Sequence, residues 1–335
     1  MNDPTIQKIC QQLSLSPWGV AKSRIHQTKS FGDGVWVKRD DELSFGISGT
    51  KLRKLSSVIS YLKASQTKLV VTTGGLYSNH LPAAVQAFNE AGLDYQVWLK
   101  QGADKPAIGN FGLLKLLVRP GCIRWVKSDD WDQRYDMMEM ACQRLSSNGG
   151  GRYFVMREGV DNKEALAGAM TLAIDIARNQ SEHQVEFETI AIDAGTAGSA
   201  IGLILGLELL ELKKHIIVVG MAMQENAFFE SLHAYNELLP QVLGLRPCRI
   251  DLSRIHYHRA VTARSFGATN TSVFKQISDL AKSEGILVDP IYGAKLTLTI
   301  QALLSDRKQA KPLLWIHSGG AFSISGFWDK LSAHF

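Results

Sequence analysis

The sequence predicts an α/β fold of two open, twisted parallel sheets wrapped by helices, and three observations carry that prediction. From Lys51 to about Met156, short apolar runs alternate with segments of helical period, the pattern of strand-helix-strand units. The second half, from Lys163 to His317, repeats the alternation without repeating the sequence. At 335 residues there is room for two compact bodies sharing a cleft, and 45% apolar with 21% charged residues is ordinary globular composition.

Residues 1–34 hold a short helix-like piece and a Gly32-Asp33-Gly34 turn. Val35–Lys38 reads as a strand, and the corner Arg39-Asp40-Asp41 as a structural salt-bridge cluster. Ser48–Leu55 opens a helix to about Lys63, because Leu52, Leu55, Val58, Ile59 and Leu62 recur at helical spacing. Lys68–Thr73 is a strand, Pro82–Ala91 a helix with its proline in the first turn, and Tyr95–Lys100 a strand. Phe111–Val118 reads as helix, Cys122–Lys127 as strand and Trp131–Ser147 as helix. Gly149-Gly150-Gly151 is a loop before the strand Tyr153–Met156. Beyond it come the helix Lys163–Arg178, strand Phe187–Ile192, helix Ile201–Lys214 and strand Ile216–Met221. Helices near Gln224–Leu238 and Ser272–Ser283 precede a last buried strand, Leu313–His317. Residues 1–50 read as an outer layer of the larger body. The expected division is therefore a large domain of 1–50 with 160–335 and a small α/β domain, 51–159, inserted in it.

The formal charge of +5 is mild, and the basic residues are dispersed. That argues against a nucleic-acid partner and suits anionic small molecules. Cys10, Cys122, Cys142 and Cys248 form no CxxC, so neither a metal site nor a disulfide framework is expected. No apolar span approaches ~18 residues, and no basic-then-apolar leader follows Met1. A reduced, soluble, cytoplasmic protein without membrane association is the expectation.

Lys51 is the residue out of place. It falls in register with Leu55, Val58 and Leu62 on the inward helix face, in the first turn, where the dipole disfavours a cation. The dipole contributes only about 0.3–1 kcal/mol, less than one pKa unit at ~1.4 kcal/mol, so burial would have to neutralise the amine. A neutral lysine is a nucleophile for aldehydes. A snorkelling lysine at a helix entrance is the plainer alternative.

Four turns lie at or near strand ends, where open α/β sheets bind ligands. Gly74-Gly75-Leu76-Tyr77-Ser78-Asn79-His80 offers a helix start to an anion such as a substrate carboxylate, or simply an N-cap at Ser78 or Asn79. Gly195-Thr196-Ala197-Gly198-Ser199-Ala200 fits a phosphate cradle of backbone amides, although it is neither GxGxxG nor a P-loop. His317-Ser318-Gly319-Gly320 places a hydroxyl at another strand end. Tyr292 follows an Asp289-Pro290 turn, with a helix beginning beyond, and reads equally well as a packed aromatic. Together, a core-facing lysine, a phosphate cradle and hydroxyl-bearing turns describe a site for pyridoxal 5'-phosphate.

On these residues the chain resembles the pyridoxal-phosphate family of 1-aminocyclopropane-1-carboxylate deaminases and D-cysteine desulfhydrases, with its tryptophan-synthase-β-like fold (fold type II). The resemblance rests on VKRDD (Val37–Asp41), GTKLRKL (Gly49–Leu55), Gly74–His80, GTAGSAIG (Gly195–Gly202), EGILVDPIYGAK (Glu284–Lys295) and IHSGG (Ile316–Gly320), in the family's order across nearly the whole chain. It implies that Lys51 binds the cofactor as a Schiff base and shuttles the Cα proton. Asn79 would hydrogen-bond the ring oxygen, and Gly195, Thr196, Ala197, Gly198, Ser199 and Ala200, helped by Lys54, would hold the phosphate. Ser78 would sit beside the substrate carboxylate or act as a second proton-transfer group, with Tyr77, Asn79 and His80 around the substrate. Tyr292 would lie near the reacting carbon and Ser318 would meet the pyridine nitrogen. A homodimer acting on a small amino acid is implied as well.

A hydroxyl such as Ser318 bonds an unprotonated ring nitrogen, which makes the ring a weaker electron sink and favours β-elimination over transamination. Ring-opening deaminases of this family resemble one another in having glutamine, glutamate and leucine where this chain has His80, Gly293 and Ser318. The expectation is thus β-elimination from a D-amino acid, giving pyruvate and ammonia, with 1-aminocyclopropane-1-carboxylate deamination to 2-oxobutyrate as the alternative. Thr50, Tyr77 and Phe266 depart from the family's usual asparagine, glutamine and tyrosine, which leaves a catalytically weak cofactor-binding protein as another reading. A nucleotide-binding oxidoreductase using Gly195–Gly202, with Glu225 on a ribose, is the alternative from a different class.

Overall fold

The computed structural model describes residues 3–102, 106–147, 151–221, 223–306 and 311–334. The chain begins with α1 (Pro4–Gln11), β1 (Ile25–Gln27), β2 (Val35–Lys38), α2 (Lys51–Ala64) and β3 (Thr67–Thr73). There follow α3 (His80–Ala91), β4 (Tyr95–Lys100), α4 (Gly109–Leu117), β5 (Ile123–Val126), α5 (Arg134–Leu145) and β6 (Arg152–Met156). The second half contains α6 (Leu166–His183), β7 (Thr189–Ala194), α7 (Gly198–Leu209), β8 (His215–Gly220), α8 (Glu225–Glu237) and α9 (Leu239–Leu243). It closes with β9 (Ile255–Arg259), α10 (Thr271–Glu284), α11 (Gly293–Ser305), β10 (Leu313–Ile316) and α12 (Trp328–Leu331). Of the predicted glycine loop, Gly149 and Gly150 lie outside the described residues.

Two sheets result. One is six-stranded in the order β1-β2-β10-β7-β8-β9, parallel throughout except for the antiparallel edge pair β1-β2. The other is four-stranded in the order β5-β4-β3-β6 and wholly parallel. Parallel strands covered on both faces must be apolar on both, and Ile190, Ala191 and Ile192 of β7 with Leu313–Ile316 of β10 are fully buried. The carboxyl ends of β3, β6, β7 and β10 lead into the turns after Thr73, Met156, Ala194 and Ile316.

β7 begins two residues later than the apolar run suggested. Phe187 is instead a core plug, fully buried, with its N–H donated to Gln180 Oε1 at 2.9 Å. Strand pairing starts only at Thr189, opposite Leu313 of β10. β9, sequence Ile-His-Tyr-His-Arg, is a half-exposed edge strand whose polarity hides it from an apolar-run reading.

α2 forms where its period predicts. Leu55, Val58, Ile59 and Leu62 are fully buried in the core shared with α3 and β3, each burial contributing about 1.5–3 kcal/mol. Its opposite flank presses on α6 so closely that a Cβ at Gly168 would lie 2.0 Å from the Arg53 carbonyl oxygen.

A buried ionic network fixes the first turn of α2 to the larger sheet. Arg53 donates Nε and Nη2 to the two Asp40 oxygens at 2.7 Å each, and Nη2 also reaches Asp175 Oδ2 at 2.7 Å. Lys38 Nζ donates to the same Asp175 oxygen at 2.5 Å and to Asn179 Oδ1 at 2.6 Å. All four charged residues are 0–1% exposed. Burial opposes the Asp40 charge, but Arg53 and Lys38 outweigh it and hold the carboxyl at about 2. The expected cluster at residues 39–41 is present, with Arg39 gripping Asp41 through two hydrogen bonds of 2.8 and 2.7 Å, and Asp40 reaches beyond it to α2.

Candidate active site

A cavity of about 740 Å³ opens at the carboxyl ends of β3, β6, β7 and β10. Its volume suits a cofactor-sized ligand with a small substrate. Lys51, Lys54, Tyr77, Ser78, Asn79, His80, Gly195, Thr196, Ala197, Gly198, Ser199, Tyr292 and Ser318 all line it. Ala200, expected among them, is fully buried in the core and does not.

Lys51 is the first residue of α2, and its backbone is set by the loop after β10. The Thr50 N–H donates to the Ser318 carbonyl oxygen at 3.0 Å. Gly49 is required beside it: φ is +55°, and a Cβ would lie 2.2 Å from that same oxygen. Burial pushes the Lys51 amine below its ordinary value, and Asp193 and Asp289 restore only part of the loss. Among the described residues the amine makes no hydrogen bond within the protein. One turn on, Lys54 is buried, donates to the Gly159 carbonyl oxygen, and is lowered to about 8 by burial and by Lys51. Two lysines of depressed basicity therefore face one cavity.

The turn after β3 starts α3 two residues before the expected Pro82. The N-cap is Asn79, whose side chain makes no capping bond; Ser78, one residue earlier, accepts the His80 N–H on its Oγ at 3.0 Å. Asn79 Oδ1 accepts from Asn110 Nδ2 at 2.5 Å. His80 is 2% exposed, and burial together with the two lysines lowers it to about 3, so the ring is neutral. The Thr72 hydroxyl donates to the Met156 carbonyl oxygen at 3.0 Å and must therefore accept from His80 Nε2, 3.1 Å away. Nδ1 is left as a buried acceptor without a partner among the described residues. Tyr77 sits at the rim, 43% exposed, its hydroxyl held by the Pro106 carbonyl oxygen at 3.1 Å.

The turn after β7 leads directly into α7. Ala197 takes φ +65° to make the bend, and the first-turn N–H groups of α7 have no intrahelical acceptors. At Gly198 a Cβ would lie 3.5 Å from Lys54 Nζ, which sets that cation against the helix start. Such a cradle, with a cation on one side, is built for a phosphate.

Asp289 accepts the N–H groups of Ile291, Tyr292 and Gly293 at 2.7–3.2 Å and thereby shapes the start of α11. Burial and the neighbouring Asp193 raise its carboxyl to about 6 even so. Tyr292 packs against Gly195, where a Cβ would lie 2.9 Å from its ring, and Phe266 stands 6.1 Å away at 67°.

Asp193 and Glu158 also line the cavity and were not singled out in the sequence. Asp193 was legible as an acid in the otherwise apolar run Ile190–Ala194; Glu158 carries no comparable signal. The lining fits pyridoxal phosphate: an amine of lowered basicity, a phosphate cradle with a cation, and buried atoms at His80 Nδ1 and Asp193 Oδ1 that have no partner among the described residues.

Residues 22–319 match the family described as pyridoxal-phosphate dependent enzyme. A D-cysteine desulfhydrase of Yersinia enterocolitica is 28% identical, over 90% of this chain and 90% of that protein. The bifunctional D-cysteine desulfhydrase/1-aminocyclopropane-1-carboxylate deaminase of Arabidopsis thaliana, a mitochondrial protein, is 24% identical over 90% of this chain and 75% of its own length. The crystal structure of an ACC deaminase homologue superposes with a TM-score of 0.85 at 23% identity, over 99% of this chain and 100% of that one. The fold is thus that of fold type II pyridoxal-phosphate enzymes.

Proposed function

The chain belongs to the pyridoxal-phosphate dependent enzymes, and on that premise we propose that it is a lyase eliminating the β-substituent of a small D-amino acid. With D-cysteine and water the products are pyruvate, ammonia and sulfide. The observation that carries this reading is one cavity holding the Lys51 amine, the 195–199 cradle and the Ser318 hydroxyl.

Lys51 binds the cofactor and is the group placed to take the proton from the substrate's Cα, because burial keeps a fraction of its amine neutral. Lys54 and the start of α7 grip the phosphate, with Thr196 and Ser199 as hydroxyl donors. Asn79 faces the ring oxygen. Ser78 and the first turn of α3 receive the substrate carboxylate, and neutral His80 is held behind that turn by its Nε2 contact with Thr72. Tyr292 stands near the reacting carbon; burial, then Asp289, raises its hydroxyl, so it stays protonated and donates. When bound, pyridoxal phosphate supplies an aldehyde and a conjugated ring that draws electron density from Cα.

His80, Gly293 and Ser318 support elimination over cyclopropane opening. A side chain at 293 would meet Val288 Cβ at 2.9 Å, so the glutamate of ring-opening relatives has no room there. The family membership displaces the nucleotide-binding reading. A large domain of 1–50 with 160–335 and a small domain of 51–159 fit the division of strands between the two sheets. Free thiols at Cys10, Cys122, Cys142 and Cys248 suit a reducing, cytoplasmic setting. A homodimer completes the reading, and light scattering tests it.

The test of the reaction is a panel of D-cysteine, β-chloro-D-alanine and 1-aminocyclopropane-1-carboxylate on cofactor-loaded protein. Pyruvate from the first two is expected. Only 2-oxobutyrate, from the cyclopropane, would reverse the assignment.

A further inference from the structure

The turn that carries Ser78 and Asn79 is held from outside by the start of α4. Asn110, the second residue of that helix, is 4% exposed and lines the cavity. Its Nδ2 donates to the Tyr77 carbonyl oxygen at 3.2 Å and to Asn79 Oδ1 at 2.5 Å. Tyr77 is tied to the same segment twice more, by its hydroxyl on the Pro106 carbonyl oxygen and by its ring, set edge-on to Phe111 with 6.3 Å between centroids. Asn110 has no role in the account above.

These two bonds fix which way both side-chain amides face. A backbone carbonyl oxygen only accepts, so the Asn110 atom against Tyr77 is the nitrogen, and its second proton is free for Asn79. The Asn79 atom that meets this donor must accept. It is therefore Oδ1, which turns Nδ2 the other way. That nitrogen lies against the loop after β10, where a Cβ at Gly320 would come within 2.6 Å of it. We propose that Asn110 is a positioning residue, locking the Asn79 amide so that its donor edge alone is offered to the ring oxygen of the bound cofactor. This rests on reading the cavity as a pyridoxal-phosphate site. A donor at that place favours the ionised ring oxygen, because a charge-assisted hydrogen bond is roughly twice as strong as a neutral one. A flipped Asn79 would set Oδ1 against the same charge. The simpler role for Asn110 is a tie between α4 and the turn through the Tyr77 carbonyl, and the two roles separate experimentally.

The test compares the affinity of the whole protein for pyridoxal phosphate and for 3-deoxypyridoxal phosphate, which lacks the ring oxygen, by titration of protein fluorescence. The wild type is expected to prefer the natural cofactor. Asn110→Asp keeps the shape but removes the donor, so Asn79 turns its Nδ2 toward the new carboxylate and away from the ligand. The preference should fall about tenfold or more, as expected of a lost charge-assisted hydrogen bond, while affinity for the deoxy analogue stays within about twofold. Asn110→Ala frees the amide without forcing it round, should lower the preference by a smaller factor, and serves if the aspartate variant does not fold. In an Asn79→Ala background either substitution should leave the preference unchanged, since there is no amide left to orient. A wild type without the preference, a folded Asn110 variant that keeps it in full, or an effect that persists with Asn79→Ala overturns the proposal and leaves the site reading standing. A wild type that binds neither ligand overturns both. Binding of the deoxy analogue by each variant is the check that it has folded.

Discussion

Thr50 donates its backbone N–H to the Ser318 carbonyl oxygen at 3.0 Å, so the residue before the candidate nucleophile is tied to the loop that would face the cofactor's ring nitrogen. The loop after β10 and the start of α2 are 268 positions apart in sequence (Thr50 to Ser318) and meet at one corner of the cavity.

Gly49→Ala should break that corner. The new Cβ would lie 2.2 Å from the Ser318 oxygen at a φ of +55°. Strain of this kind costs about 1–3 kcal/mol, and relief requires moving Lys51 away from Ser318. Thermal melts should show the loss, and the cofactor's visible absorbance should weaken with it.

Arg53 is the anchor on the other side. Arg53→Met leaves Asp40 and Asp175 with Lys38 as their remaining fully buried cation, and breaking such a network costs about 3–5 kcal/mol. Urea denaturation measures this. The double variant Arg53→Met, Asp40→Leu should recover part of the stability, since it removes the stranded charge as well.

Asp40 also sets an acid limit. Its carboxyl is depressed from 3.8 to about 2 in the folded protein, so its contribution is complete above the unfolded value and lost as pH falls through about 2. The size is about 2 kcal/mol. Asp40→Asn should flatten the stability profile between pH ~4 and ~2.

His80 acts in a higher window. Its folded value, about 3, lies below the ordinary 6.5, so the unfolded chain binds the extra proton and stability declines as pH drops below about 6.5. His80→Gln should remove that slope. A profile unchanged by the substitution would show that the ring is not held neutral.

Lys54→Met should weaken pyridoxal phosphate more than pyridoxal, which lacks the phosphate. A charge-assisted bond of about 1.5–3 kcal/mol corresponds to roughly ten- to hundredfold, read by titration of absorbance. Equal weakening of both ligands would place Lys54 elsewhere than at the phosphate.

Much of this was legible in the sequence because the informative residues break a local pattern. Lys51 interrupts an apolar stripe of helical period, and Gly195–Ala200 interrupts an apolar strand and helix with small residues; both now line the cavity except Ala200, whose small side chain serves helix packing instead. What stayed hidden depends on contacts between distant parts of the chain. Nothing near Arg53 announces Asp175, 122 residues away. β9 is too polar to read as a strand until β8 is placed beside it. Asp193 was visible as an acid in an apolar run, but that it lines the cavity with Lys51 required the fold.

Everything proposed here turns on the Lys51 amine. Borohydride reduction of the yellow, cofactor-loaded protein, followed by digestion and mass spectrometry, should recover the pyridoxyl group on the peptide carrying Lys51, and Lys51→Ala should recover none. Attachment at Lys54 or at any other lysine, with Lys51 unmodified, would contradict the account.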